Sequence, residues 1–421
     1  MTVGVRIFDR RLASGVAARV VHLAPRTFRV LPCFTQDAPP DETRLSLTLA
    51  AARLDQPVVA VPPAARRMAP RAIDGSLRIA ARADARGNAQ AGAACAPLRL
   101  LRTVAAGLAP GEILVNGTYF LFLPPEVAAP FDAYGDPIGL TLADGVIETP
   151  PQAPRACLLV TETGPAIRRI GFVEAGIRAA TGRAFAPHPF GPPAATGPGT
   201  AFALFHGSRA GATPPAAGVW DVALVGRHAV ALAQGGGLSI PRAGCVLRCA
   251  DRAEADAVAA GPVTYTLPGV QQAVQAGPLI VADGRTTEAA DVFAAELMAG
   301  DAPRPDGVPV SPHRWAADWH TTRAARMSAG ITAAGALFFC AIEGTSSFFR
   351  DGPMRGATLH DLAMLMIAEG AVRALHLDGG GSTQVFCHGG GALLASRDVH
   401  HGMPDSPAQI DRPLPLGLVL S

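Results

Sequence analysis

A helix-strand-glycine unit at residues 358–386 constrains this chain more than any other stretch. Thr358 followed three residues later by Asp361 has the pattern of a capping box, and Leu359, Leu362, Ala363, Met366 and Ile367 recur at helical spacing. Gly370 fits the helix stop. A short apolar run at 372–377 then predicts a strand that delivers Asp378 into Gly379, Gly380 and Gly381, with Ser382 and Thr383 behind them. Glycines lack Cβ atoms, so the backbone here can come close to a ligand, and the two hydroxyls add polar groups; an anion or several sugar hydroxyls could be gripped. The plainer reading is a tight turn needing positive φ, but three glycines directly after an aspartate favour a site.

Other segments carry weaker patterns. Residues 326–344 read as a hairpin with its turn near Gly335, and 274–285 as an apolar strand kinked at Gly277-Pro278 and closed by an Asp-Gly turn. Residues 97–107 have helical spacing, and the β-rich run after them contains an Asn-Gly turn signal at Asn116-Gly117. Between 124 and 262 the chain is rich in proline and glycine, with short strand-like pieces. The expected fold is α/β or α+β: a mixed β-sheet core with packed helices and a β-rich insertion. At 421 residues the chain exceeds one simple core. The expected organisation is an N-terminal region at 1–100 of unknown role, then 101–421 as the catalytic part with an insertion at about 124–262.

Charge narrows the chemistry. The 36 basic residues nearly balance 34 acidic ones, and none of the 36 is a lysine. Schiff-base catalysis and a lysine-bearing phosphate loop are therefore excluded, whereas arginine's planar fork suits bidentate phosphate contacts. GC-rich coding is the bland account of the missing lysine. Without a basic run, no nucleic-acid partner is expected. No apolar stretch is long enough for a membrane span, and the first 21 residues lack the apolar core of a signal peptide, which predicts a cytoplasmic protein without a membrane partner. Seven cysteines, with no second pair to complement Cys245 and Cys249, read as free thiols.

Five pieces of the sequence stand in an order that resembles the phosphodiester glycosidase family. They are VNGTYF, carrying Asn116, Gly117 and Thr118; AGPLIVADGR, carrying Gly277; RMSAG, beginning at Arg326; CAIEG, carrying Glu343; and LDGGGSTQ, carrying Asp378 to Thr383. The resemblance spans roughly residues 105–390. It implies a hydrolase acting on a small-molecule glycosyl phosphodiester, with 101–421 as its catalytic domain. The chain departs from the family pattern at Glu343, where aspartate is usual, at Thr118 and Tyr119, where glycine and phenylalanine are common, and at His376, where asparagine often precedes the Leu-Asp-Gly run.

The chemistry can also be argued without the resemblance. Breaking the C1–O bond of a glycosyl phosphodiester develops positive charge on the sugar and releases a phosphate, already a good leaving group, so strong protonation of the leaving oxygen matters less than in an ordinary glycosidase. A carboxylate must attack the anomeric carbon or activate water, and a cation must neutralise the phosphate. Asp378 is the candidate for the first role, with Glu343 as second carboxylate, and Arg326 for the second; Asn116, Gly117, Thr118, Gly277 and the 379–383 segment are candidate binding residues. Each also has a structural reading: a strand-end cap for Glu343, an ion pair for Arg326, a turn for Asn116.

No cofactor is expected. Metal ligation by the late histidines (His360, His376, His388, His400, His401) with Asp378 and Asp398 is the rival reading and would cut P–O instead, but no HxH or HExxH spacing supports it. A lipase-like reading of His388 and its three following glycines fails for want of a Gly-x-Ser-x-Gly elbow. A sugar-phosphate binding module without turnover is the remaining alternative.

Overall fold

The structure, a computed structural model, describes residues 2–32, 94–95, 99–121, 133–151, 154–171, 176–178, 184–185, 204–206, 212–241, 244–287, 296, 320–344, 356–395, 411–412 and 414–421. Much of the expected 1–100 region and parts of the 124–262 insertion lie outside the described residues, as do Asp398, His400 and His401.

In chain order, the elements around the site begin with strands β1 (Gly4–Arg11), β2 (Ala17–Ala24) and β3 (Phe28–Pro32), helix α1 (Leu101–Ala105) and strand β4 (Ile113–Asn116). Strands β5 (Arg155–Thr161), β6 (Val270–Gln275), β7 (Leu279–Ala282), β8 (Arg326–Thr332) and β9 (Leu337–Ile342) follow. Helix α2 (Leu359–Ala368) and strands β10 (Ala371–His376), β11 (Gln384–Cys387), β12 (Ala392–Ala395) and β13 (Leu416–Leu420) complete them.

Two sheets matter most. A seven-stranded sheet runs β1-β2-β9-β8-β10-β7 and ends on the short strand Arg285–Thr286; a five-stranded sheet runs β12-β11-β4-β13-β3. Residues 4–32 therefore have a definite structural role: β1 and β2 edge the large sheet, and β3 joins the smaller one. Another five-stranded sheet pairs β5 with β6, so the expected insertion shares a sheet with the strand that leads into Gly277-Pro278.

The α/β or α+β expectation holds only in part. Strands dominate, and all strand pairings among the described residues are antiparallel apart from the two-residue parallel pair Ala94–Cys95 with Ala133–Tyr134. The reason lies in the connections. Short turns suffice for antiparallel neighbours, whereas a parallel pair needs a crossover of about a dozen residues or more. Besides α1, the described helices are α2 and an eight-residue helix, Arg252–Ala259.

Helix α2 forms as its sequence requires. Thr358 Oγ1 accepts the Asp361 amide at 3.0 Å while Asp361 Oδ2 accepts the Thr358 amide at 3.1 Å, closing the capping box. Leu359, Leu362, Ala363, Leu365 and Met366 are buried against β7, β8 and β10, each large side chain contributing about 1.5–3 kcal/mol. The approach is close: a Cβ on Gly330 of β8 would lie 2.5 Å from Met366 Cε and 2.9 Å from Phe338 Cζ. Asp361 also ties the helix to the β1–β2 turn, accepting the Ser14 amide at 2.7 Å and the Ser14 hydroxyl at 2.8 Å.

The other local expectations fare as follows. Residues 326–342 form the hairpin with Gly335 at its turn, and Asp283-Gly284, both at positive φ, close the turn after β7. The helix expected at 97–107 is only the five residues of α1. Asn116-Gly117 is not a turn. Asn116 ends β4 as a fully buried strand residue. No helix among the described residues is long and apolar enough to cross a membrane.

Candidate active site

Register brings the chemistry to one end of the large sheet. In β8, Arg326 pairs with Ile342 of β9 on one side, and Ser328 pairs with His376 of β10 on the other. Extending β10 by two residues, with the Leu377 amide bonded to the Met327 carbonyl at 2.9 Å, sets Asp378 level with Arg326. Glu343 leaves β9 at the same end, its amide on the Arg19 carbonyl at 2.9 Å. Glu343 and Asp378 thus leave strands on either side of β8, whose backbones lie about 10 Å apart. Asp378 is half-buried; Glu343 is exposed.

The smaller sheet reaches in to hold Asp378. Asn116 Nδ2 donates to the Asp378 carbonyl at 2.7 Å, and the Asp378 amide donates to the Gly117 carbonyl at 3.0 Å. Asn116 Oδ1 accepts the Gln384 amide at 3.2 Å. Both ends of the Asn116 amide are therefore engaged by backbone, so its observed role is to fasten the aspartate segment to β4. Gly117 is buried against Leu416, and a side chain there would strike it.

The glycine segment does not form the expected cradle of open amides. It folds into a 3-10 turn, Gly380–Ser382. The Gly379 amide donates to Asp378 Oδ1 at 2.8 Å and the Gly380 amide to the Ala325 carbonyl at 2.8 Å, while the Ser382 and Thr383 amides bond to Gly379 and Gly380 carbonyls at 3.2 and 3.1 Å. These four amides are satisfied inside the protein, because a 3-10 turn pinned against residue 325 closes its own hydrogen bonds. Ser382 Oγ accepts Arg412 Nη1 at 3.1 Å, Thr383 Oγ1 is buried without a hydrogen-bond partner among the described residues, and Gly381 is buried.

Two further candidates also face inward. Thr118 Oγ1 donates to the Gln275 carbonyl and lies 3.3 Å from the Ile138 carbonyl, which makes it a core hydroxyl rather than a ligand group. Gly277, at φ +86 before the cis bond to Pro278, presents its carbonyl to the Tyr119 hydroxyl at 2.8 Å.

Arg326 is at the expected place but differently used. Its Nε donates to the Ala357 carbonyl at 3.0 Å and its Nη2 to the Thr322 carbonyl at 2.7 Å. Two donors of the fork are tied to backbone, so it is not an open bidentate clamp. Burial pulls its pKa down to about 10, opposed by Tyr119. It stays charged near neutrality.

Sequence reasoning gave no role to Tyr119 or Arg412, and gave His376 only a place among the rival metal ligands. The Tyr119 hydroxyl and His376 Nδ1 lie 2.7 Å apart, both buried. Burial raises the Tyr119 phenol well above its ordinary value, with the Asp378 charge adding to the effect and Arg326 opposing it. Burial, and then the Arg326 charge, holds His376 well below the ordinary histidine range. The signal available in the sequence was that Tyr119 and His376 both stand where the family pattern has other residues. Among the described residues, no group of three or more His, Cys, Asp and Glu is placed to hold a metal ion.

Fold and site together place two candidate carboxylates at strand ends of a largely antiparallel β protein, one of them held between two sheets. Residues 229–421 match the model of the phosphodiester glycosidase family. The match begins inside the expected insertion and leaves VNGTYF outside it. No curated protein matches the chain. Among solved structures, a hypothetical protein from Synechocystis is 16% identical with a TM-score of 0.46 over 99% of this chain, which spans 62% of that protein's length. The catalytic domain of zebrafish N-acetylglucosamine-1-phosphodiester alpha-N-acetylglucosaminidase, auto-inhibited by its pro-peptide, is 13% identical with a TM-score of 0.43, covering 99% of this chain and 82% of that one. At such scores neither likeness transfers an activity.

Proposed function

We propose that this chain hydrolyses the glycosidic C1–O bond of a sugar 1-phosphodiester, releasing the free sugar and a phosphomonoester. The observation that supports this most is the fastening of Asp378: its amide, its carbonyl and its side-chain oxygen each have a backbone or amide partner, which fixes a half-buried carboxylate at the end of a strand next to the centre of the sheet. A carboxylate held so firmly loses little on reaching a reactive geometry.

Asp378 takes the part of nucleophile or base at the anomeric carbon, and Glu343, exposed at the neighbouring strand end, is the second carboxylate. Arg326, anchored on two carbonyls, contributes a fixed positive charge beneath the phosphate. The reaction needs only the substrate and water. Water's oxygen becomes the sugar's anomeric hydroxyl, and the former bridging oxygen leaves with the phosphate.

Hydrolysis in oxygen-18 water tests this on a panel of glycosyl phosphodiesters. Label in the released sugar is the expected result. Label in the phosphate would mean P–O cleavage and overturn the proposal in favour of a phosphoesterase; binding of the panel without turnover would favour a sugar-phosphate binding module.

A further inference from the structure

We propose that Tyr119 and His376 form a proton-ordered lock, with the Tyr119 hydroxyl donating to the Gly277 carbonyl and Nδ1–H of His376 donating to the Tyr119 oxygen, and that His376 is thereby a positioning residue for the Asp378-Gly379 turn. This rests on the reading of Asp378 as the reacting carboxylate.

The Gly277 carbonyl, 2.8 Å from the Tyr119 oxygen, can only accept, so the phenol's single proton points to it. The second contact of that oxygen, 2.7 Å to His376 Nδ1, then needs its proton from the imidazole. A buried imidazole beside the Arg326 charge is neutral and carries one N–H. That proton is on Nδ1, and the lone pair is on Nε2.

Geometry then connects the ring to the turn. A Cβ on Gly379 would lie 3.1 Å from His376 Nε2, 3.3 Å from Cε1 and 3.1 Å from the Ala325 carbonyl oxygen, so the ring packs directly on Gly379 and a side chain there would push against it. The Gly379 amide is the group that holds Asp378 Oδ1 at 2.8 Å. Ring orientation therefore fixes the amide, and the amide fixes the carboxylate. Three segments meet in the lock: the loop after β4, the break between β6 and β7, and the end of β10.

Two experiments test it. Nitrogen NMR of histidine-labelled wild-type protein reads the tautomer directly and needs no substrate; protonated Nδ1 with bare Nε2 is expected, and the opposite tautomer or an imidazolium overturns the lock. Tyr119→Phe and His376→Asn should each lower kcat about tenfold with KM little changed, and the double variant should be no slower than the worse single one, as for groups in contact. Losses that multiply in the double variant, or that fall on KM alone, overturn the positioning role. If wild-type protein turns over no glycosyl phosphodiester, the functional reading has failed, and the tautomer still decides the lock.

Discussion

Asp361→Asn tests how the helix beside the site is held. Asp361 Oδ1 accepts the Ser14 amide at 2.7 Å, and Oδ2 accepts the Ser14 hydroxyl at 2.8 Å and the Thr358 amide at 3.1 Å, with Arg323 Nη1 at 3.4 Å. An asparagine has one acceptor oxygen, so its NH2 must face either the Ser14 amide or the Thr358 amide. One buried hydrogen bond is replaced by a donor-donor clash, at about 1–3 kcal/mol, and the charge facing Arg323 and the helix N-terminus is lost, adding about 0.3–1 kcal/mol. The expected loss is about 1–4 kcal/mol in urea unfolding near neutral pH. Burial pushes this carboxyl up, but the bonds from Ser14 and Thr358 outweigh it and hold it below its ordinary value. A depressed folded pKa gives stability that is fully present above the unfolded value of about 3.9 and fades as pH falls through the lower folded value, so the wild type should lose this increment in acid and the variant should not. A variant with unchanged unfolding midpoint and the same acid slope as wild type would refute the reasoning.

Asp378→Asn should lower kcat by about 10²–10⁴ while preserving thermal stability and substrate binding, because the amide keeps the bond from Gly379 but neither attacks nor takes a proton; steady-state kinetics with a melting curve check this, and Glu343→Gln should be milder on activated leaving groups. If Glu343→Gln proves the more damaging change, the two carboxylates exchange roles. Arg326→Gln should reduce kcat/KM by an amount equivalent to about 2–4 kcal/mol and also lower stability, since the Ala357 and Thr322 carbonyls lose their donor; near-normal kcat/KM in a folded variant would place phosphate recognition elsewhere. Activity is expected to survive exhaustive chelation; loss restored by a divalent cation would recast Asp378 as a metal ligand.

What the sequence disclosed was what local rules encode. The capping box at Thr358, the hairpin through Gly335 and the Asp283-Gly284 turn each depend on residues a few positions apart, and each forms as its pattern indicates. Asn116 shows the limit. Its Asn-Gly dipeptide has the form of a turn, but its amide bonds to a carbonyl 262 positions away, a competition that no window of sequence contains. The glycines after Asp378 were legible as a place of close approach but not as a self-satisfied turn, because that depends on Ala325 arriving from another strand. Tyr119 and His376 carry no local pattern at all. Tyr119 was visible only as a departure from the family's usual residue, and His376 as such a departure and as one of the late histidines; only the fold shows that the two touch.

The clamp on Asp378 has a consequence for assembly. Asp378 continues β10 of the seven-stranded sheet, but both partners of its backbone, the Gly117 carbonyl and the Asn116 side-chain amide, come from the end of β4 in the five-stranded sheet. Neither sheet contains the site by itself. During refolding, each sheet can complete its own ladder before the seam between them closes, and the carboxylate acquires its orientation only when it does. Recovery of turnover is thus a clock for the final docking event, and it runs behind any spectroscopic signal that reports strand formation alone.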